Sequence, residues 1–406
     1  MDEQKVSALI EWTATAGLGG FDETGLLDGF CRRAVDAGLP LLRVLVGLDT
    51  LHPVFESSNL EWHRKRRDLR QSSYRRVSSE IQAERWLTSP FYHMMETDQA
   101  WLRRRLDRGS PAGEFPIFGD LIAEGATDYL ATLTPFIETA RLRDMDGMYS
   151  SWTTDRAGGF TDRQVAVLCR LVPHLGLAYK ALSTAQIAEN LVATYLGRDA
   201  GRRVLAGNIE RGVAEKITAV LWLSDLRGFT RIADSIPGEL IVPLLSDYND
   251  ALVTAVHAHD GEVLKFIGDG LLAIFQAGDM ADACHQAITA AEHARAEVSG
   301  LNARRRRDGL PVTDFSLGLH QGEVFYGNVG SLDRLDFTVV GAAVNEVARI
   351  EAMCRALEQD VVLSAAFAAA AQHSRERLVS LGRYALRGVR KPQELFTLVR
   401  AEDLET

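Results

Sequence analysis

Two aspartates, Asp225 and Asp269, stand in the surroundings of this 406-residue chain best suited to chemistry. Asp225 ends an apolar run in Leu221-Trp-Leu-Ser-Asp-Leu-Arg-Gly-Phe-Thr230. Asp269 interrupts a second one, Val263-Leu-Lys-Phe-Ile-Gly-Asp-Gly-Leu-Leu-Ala-Ile-Phe275. Each motif puts one carboxylate at the end of a β-like stretch, beside glycine. Carboxylate oxygens suit hard divalent cations such as Mg²⁺ or Mn²⁺. Two of them can hold such ions against a nucleoside triphosphate.

The elements around the acids must bring them together. Ile217–Leu223 reads as a buried strand, and Glu239–His257 as a helix with Leu244, Leu245, Tyr248 and Leu252 on one side. Glu262–Ile267 and Leu271–Phe275 read as two strands, with Gly268-Asp269-Gly270 as a hairpin signal. An alanine-rich helix over Asp279–Glu297 follows, then strands at Phe315–His320 and Glu323–Tyr326. The order β-α-β-β-α-β is that of a ferredoxin-like split βαβ core, an α+β fold. Its first two strands run parallel through a right-handed crossover, so their C-terminal ends share one sheet edge. Asp225 is thereby expected near Asp269, and a divalent cation would relieve their repulsion.

Residues 217–398 resemble a class III adenylyl cyclase catalytic domain. The resemblance rests on Ser224-Asp-Leu-Arg-Gly-Phe-Thr230, Lys265-Phe-Ile-Gly-Asp-Gly270, Asp336-Phe-Thr-Val-Val-Gly341, Val344-Asn-Glu-Val-Ala-Arg349 and the trailing Leu381-Gly-Arg-Tyr-Ala-Leu-Arg-Gly-Val389. It implies conversion of ATP to cyclic AMP and pyrophosphate. It implies two bound Mg²⁺ or Mn²⁺ ions, held by Asp225, Asp269 and the backbone carbonyl of Leu226. Lys265 and Thr338 fall where the family selects the base. A lysine ammonium only donates and a hydroxyl can accept, which matches adenine N1 and N6. Guanine presents the opposite pattern and would leave buried groups unpaired. Guanylyl cyclases carry glutamate at the Lys265 position, and many relatives carry aspartate at that of Thr338. Asn345 and Arg349, four apart on one helix face, match the pair that orients the ribose and neutralises α-phosphate charge. A surface ion pair of Arg349 with Glu346 or Glu351 is the competing reading. Arg334 is a candidate for the triphosphate. Ala342-Ala343 departs from the polar residue that most relatives carry after the glycine at Gly341. The resemblance also implies a homodimer whose sites are shared between chains. A guanylyl or dual-specificity cyclase is the alternative enzyme. A catalytically silent nucleotide-binding sensor is the alternative of another class.

Residues 1–182 read as a separate regulatory unit. A helix is expected near Thr24–Ala37, with strands at Leu41–Leu48, Thr127–Pro135 and Gly147–Thr154. Residues 61–110, highly charged, read as helix and loop. Thr161 with Gln164 fits a capping box opening a helix to about Leu182, with Leu168, Leu171, Leu175 and Tyr179 as its apolar stripe. The strand, the Gly158-Gly-Phe-Thr161 turn and the closing helix resemble the C-terminal half of GAF-type sensor domains, over residues 115–185. Such domains bind small molecules or mediate dimerisation, so an unidentified small-molecule or protein regulator is implied. His52, His63, His93 and His174 are isolated and read as ordinary residues. Residues 183–214 read as a helical connector, in which Ile187, Leu191 and Tyr195 recur at helical spacing and a short helix occupies about Ala200–Ile209. Such a connector could pair with its copy in a dimer. The cyclase-like domain is then 215–406.

Composition narrows the class. A net charge of −10 argues against a general nucleic-acid binder. The basic clusters His63–Arg67 and Arg304–Arg307 read as solvated faces. No apolar run approaches the ~20 residues that span a bilayer. The start, Met-Asp-Glu-Gln-Lys, lacks a signal peptide's apolar core. Cys31, Cys169, Cys284 and Cys354 form no CxxC pair and read as reduced thiols of a cytoplasmic protein.

Overall fold

The computed structural model describes residues 2–19, 21–49, 55–66, 69–75, 80–108, 113–136, 147–387 and 392–399. The chain divides into two compact units, Met1–Leu191 and Val192–Thr406.

The first unit runs α1 (Glu3–Leu18), α2 (Glu23–Asp36), β1 (Arg43–Asp49), β2 (Phe55–His63), β3 (Arg70–Arg75), α3 (Glu80–Leu87), α4 (Pro90–Glu96), β4 (Trp101–Arg105), α5 (Pro116–Ala123), β5 (Asp128–Pro135) and β6 (Gly147–Thr154). It then enters α6 (Asp162–Leu196). The strands form one antiparallel sheet in the order β3-β2-β1-β6-β5-β4. Leu26, Phe30, Leu168, Leu171, Leu175 and Tyr179 of α2 and α6 pack with Val44, Val46 and Trp152 in one core. Phe91, Met94, Phe118 and Leu121 of α4 and α5 pack with Tyr129 in another.

Residues 61–110 are not only helix and loop. They contain the end of β2 and all of β3 and β4. β3 and β4 are the two edges of the sheet, where charged side chains are tolerated and even protective. The three arginines of β4 are all neutralised locally: Arg103 by buried Asp128 at 2.8 Å, Arg104 by Glu114 at 2.7 Å and Arg105 by Asp107 at 2.7 Å.

The capping box forms as expected. Thr161 N–H donates to Gln164 Oε1 at 2.9 Å, and Gln164 N–H to Thr161 Oγ1 at 3.3 Å. The turn before it needs its glycines, since Gly158 and Gly159 have φ of 80° and 68°. A Cβ on Gly159 would lie 2.5 Å from the Asp128 carboxylate, which itself accepts from Phe160 N–H at 3.0 Å. The helix does not stop near Leu182 but continues to Leu196. It is long and apolar enough to cross a membrane by length and composition alone, although no such run stands out in the sequence. Its stripe of Leu168, Leu171, Leu175 and Tyr179 is buried in the unit's core. His63 is buried, and burial pushes its pKa down. His52 and Arg67 lie outside the described residues.

The second unit opens with α7 (Arg198–Leu205), β7 (Ala214–Leu226) and α8 (Phe229–Ala233). It continues with α9 (Ile241–Ala258), β8 (Gly261–Ile267), β9 (Gly270–Phe275), α10 (Met280–Arg307), β10 (Phe315–Gly330), β11 (Leu335–Val340) and α11 (Ala342–Ala356). β12 (Val361–Ser364), α12 (Ala365–Ala370), β13 (Leu378–Tyr384) and β14 (Gln393–Leu398) complete it. Gly388 and Val389 of the trailing motif lie outside the described residues. The sheet order is β13-β14-β12-β10-β7-β9-β8, with β11 paired to β10. β7 and β8 both flank β9 antiparallel and so run parallel to each other. The strands β10-β7-β9-β8 thus form the expected ferredoxin-like arrangement. Trp222, Tyr248, Leu252, Phe275 and Ile288 belong to the core that α9 and α10 build on one face. Ala200, Phe337, Val339 and Val347, from α7, β11 and α11, share a second cluster with Leu221, Leu264 and Tyr326.

β10 is one unbroken strand, paired with β7 from Phe315↔Leu226 to Gly327↔Ala214. Gly322 is no turn: a Cβ there would meet the Ala343 Cβ at 2.6 Å, so the glycine admits α11. Within Arg304–Arg307, Arg305 is buried, donates to Pro311 O at 2.7 Å and pairs with Asp247. Its guanidinium needs that partner because an isolated buried charge is costly.

Candidate active site

Asp225 precedes the last residue of β7. Asp269 lies in the tight turn between the paired residues Ile267 and Gly270. Gly268 supplies the positive φ of 65° this turn requires. Pairing of Ser224 with Leu271 sets the turn beside Asp225. A Cβ on Gly270 would lie 2.8 Å from Ser224 O and 3.3 Å from Asp225 Oδ1, so glycine is what permits the approach. The two carboxyls share a hydrogen bond, and Asp225 is pushed up to about 7 by burial, then by the Asp269 charge and by that bond. Leu226 N–H donates to the same carboxylate and opposes the shift.

A third carboxylate, which the sequence offers only as a surface partner for Arg349, lies near the pair. Glu351 of α11 accepts from Ser316 Oγ at 2.6 Å, and Ser316 Oγ also reaches Asp225 O at 3.3 Å. Burial raises the Glu351 pKa, and the Asp269 charge adds to it. Its signal was faint: one acid between Ile350 and Cys354, both fully buried.

The acid pair fits a divalent cation. Near neutral pH it retains a proton that a cation would displace, relieving the repulsion. Among the described residues no group of three or more His, Cys, Asp or Glu could hold a metal. Two carboxylates completed by substrate oxygens and water are the usual provision for Mg²⁺.

This geometry has a sign in pH. With Asp225 titrating at about 7 in the fold and near its ordinary 3.8 when unfolded, the folded state binds more protons between those values. The metal-free fold therefore keeps this stability below pH ~4 and loses it as pH rises through ~7. The gain in melting temperature on adding Mn²⁺ should grow over the same window, because proton competition fades. Asp225→Asn should flatten both trends. Melting curves with and without Mn²⁺ between pH ~5 and ~8 read the result directly.

A second group forms on β8 and β11. Lys265 Nζ donates to the Asp336 carboxylate. Two residues on, Thr338 is 6% exposed and its hydroxyl has no hydrogen-bond partner among the described residues. A buried hydroxyl left unpaired is costly, and this one keeps its full capacity to accept or donate. Arg334 is exposed in the β10–β11 turn, its N–H donating to Ser331 Oγ at 3.1 Å.

The third group is on α11. Asn345 is exposed and Arg349 half-buried. The competing reading of Arg349 fails, because Glu346 accepts from Gln393 at 3.2 Å and Glu351 from Ser316. Among the described residues Arg349 has no ion pair. α11 starts at Ala342 with no side-chain cap from Gly341, and Ala343 is buried against Gly322. Ala343 thus serves packing at the helix start, whereas Ala342, directly after Gly341, is exposed.

The model of the adenylate and guanylate cyclase catalytic domain matches residues 213–400. The chain is 30% identical over 197 residues to "Adenylate cyclase 1" of Rhizobium meliloti (strain 1021), covering 47% of this chain and 29% of that protein. It is 32% identical over 148 residues to "Adenylate cyclase" of Anabaena cylindrica, covering 36% and 30%. The chain thus spans under a third of the length of these two curated relatives. The solved adenylyl cyclase CyaB from P. aeruginosa is 20% identical with a TM-score of 0.43, over 47% of this chain and 97% of that one. Acids at one sheet edge, a lysine on the next hairpin strand and an Asn-Arg pair on one helix thus occupy a single matched segment, and residues 213–400 belong to the adenylate and guanylate cyclase catalytic domain family.

Proposed function

We propose that this chain is an adenylyl cyclase converting ATP to 3′,5′-cyclic AMP and pyrophosphate. The observation that carries the base preference is the Lys265–Asp336 ion pair beside the unpartnered Thr338 hydroxyl. The ammonium can donate only, which suits adenine N1, and the hydroxyl can accept from N6. Guanine would put a donor against the ammonium and an acceptor where the hydroxyl accepts, at the cost of unpaired buried groups.

Asp225, Asp269 and the Leu226 carbonyl would hold two divalent ions, Mg²⁺ or Mn²⁺. When bound, the ions supply activation of the ribose 3′-hydroxyl and charge stabilisation for the departing pyrophosphate. Asn345 orients the ribose. Arg349 donates to the α-phosphate as its negative charge grows, and Arg334 binds the triphosphate. A preformed donor aimed at developing charge accounts for much of the acceleration in sites of this kind. The match of residues 213–400 to the cyclase catalytic domain supports a homodimer whose sites combine groups from both copies.

The first unit acts in this reading as a GAF-like regulatory domain for a small-molecule or protein ligand. Its support is the antiparallel sheet closed by the Gly158-Gly159 turn and α6. The protein is read as cytoplasmic and as acting without nucleic acid.

The test is product formation with Mn²⁺, from ATP and GTP side by side, by full-length protein and by residues 192–406. Cyclic AMP formation favoured over cyclic GMP by about a hundredfold or more in kcat/KM is expected. Equal rates would favour a dual-specificity enzyme, and no product from either nucleotide a silent sensor. A large difference between the two lengths gives the sign of regulation.

A further inference from the structure

The turn joining α6 to α7 is seated on the strand that carries Lys265. Gly197 makes this turn with φ 89° and ψ 163°, a backbone conformation almost confined to glycine. A Cβ there would lie 2.7 Å from the Val263 carbonyl oxygen. Asp199 N–H then donates to Glu262 Oε1 at 2.7 Å, and Arg198 sits 3.9 Å from the same carboxylate. Ala200, on the first turn of α7, is buried in one cluster with Leu264 of β8 and Phe337 of β11.

All these contacts fall just upstream of Lys265, where the strand is irregular. The β8–β9 register slips between Val263 and Lys265. A bulge of this kind re-aims the side chains that follow it. Lys265 emerges on a cavity of about 370 Å³ also lined by Leu196, Gly197, His257 and Asp336. The end of α6 and the base-selecting lysine therefore share one space.

We propose that the Gly197 turn and the Glu262 cap hold the β8 bulge in the form that aims Lys265, making Gly197 and Glu262 positioning residues for base binding and base selection. This rests on the reading of Lys265 as the adenine donor. Freed of the cap, α7 is held less firmly on β8, and the ammonium keeps Asp336 as its tether while losing its fixed direction. The loss falls on contacts made equally in the ground and transition states, so it appears in KM and in the ATP:GTP ratio rather than in kcat. A movement of the last turn of α6 would be read out the same way, as a change in ATP affinity.

The test uses the full chain with Glu262→Met, Gly197→Ala and Lys265→Ala, each assayed on ATP and GTP with Mn²⁺ and followed by thermal melting. Glu262→Met keeps the length of the side chain and removes the oxygen that accepts from Asp199 N–H. It should raise KM for ATP about five- to tenfold and reduce ATP:GTP selectivity by a like factor. Its kcat and its half-saturating Mn²⁺ should stay within about twofold. Gly197→Ala should act in the same direction and more strongly. Glu262→Met carries the test alone if Gly197→Ala does not fold. The proposal is overturned if Glu262→Met leaves KM and selectivity unchanged while Lys265→Ala shifts both. It is also overturned if kcat and melting temperature fall along with any rise in KM, which is the mark of a general structural role. Unchanged selectivity in Lys265→Ala would instead remove the adenine reading on which the proposal stands.

Discussion

An equimolar mixture of Asp225→Ala and Lys265→Ala protein, assayed at ATP well below the raised KM of Lys265→Ala, is expected to regain cyclase activity that either variant alone shows only in trace. Asp225→Ala removes one of two carboxylates at the sheet edge and with it the proposed cation site. The expected loss is more than about a thousandfold, since the charge stabilisation of the whole reaction depends on that pair. Lys265→Ala leaves the acids intact and removes the base donor. If each site draws its acids from one copy and its base-reading groups from the other, a heterodimer keeps one intact site of two. Random mixing makes about half the dimers heterodimers, so recovery should approach about a quarter of the wild-type rate. Steady-state rates after subunit exchange measure this. No recovery, with heterodimers shown to form by differential tagging, would exclude the shared site and place each complete site within one copy.

The second large effect is expected at Arg349. Arg349→Ala should lower kcat by about a hundred- to a thousandfold with KM for ATP little changed, as for loss of a donor used mainly in the transition state. Its melting temperature should stay near that of the wild type. Arg349 is half-buried and has no ion pair among the described residues, so its removal strands no partner. A parallel fall in stability and kcat would mean instead that the guanidinium supports α11. Arg349→Lys should recover only a minor part of the rate, because a point charge replaces a planar, forked donor. Single-turnover rates on ATP separate this chemical step from nucleotide binding.

Both predictions draw on groups that were legible at different depths. Asp225 and Asp269 could be found by reading, because each follows a continuous apolar run and adjoins a glycine with a specific turn duty. Their approach followed from element order alone, since a split βαβ arrangement puts those two strand ends on one edge. The capping box of Thr161 and Gln164 was equally local, spanning one helical turn. Lys265, Thr338, Asn345 and Arg349 were legible only through a resemblance. Nothing in their spacing alone says what they touch.

Other features had no local signature. β3 and β4 were hidden because edge strands carry charge where inner strands carry valine and leucine. The single strand β10 was hidden by Gly322, which reads as a break until α11 is seen to lie against it. Arg305 looked like its exposed neighbours until its partner, Asp247 of α9, was placed.

By itself, then, the sequence determined the β-α-β-β-α-β order at the core of the second unit, the location of both acids and the start of the helix that Thr161 and Gln164 cap. These depend on side-chain periodicity and backbone conformation within a few residues. Tertiary structure alone decided that Asp225 holds a proton up to about 7, that Lys265 is paired with Asp336, that Thr338 keeps an unpaired hydroxyl and that Arg349 has no ion pair among the described residues. It also decided that the end of α6 rests on the strand bearing Lys265. Each of these depends on burial and on the distance between residues remote in the chain. Those quantities exist only once the sheet and its covering helices have assembled.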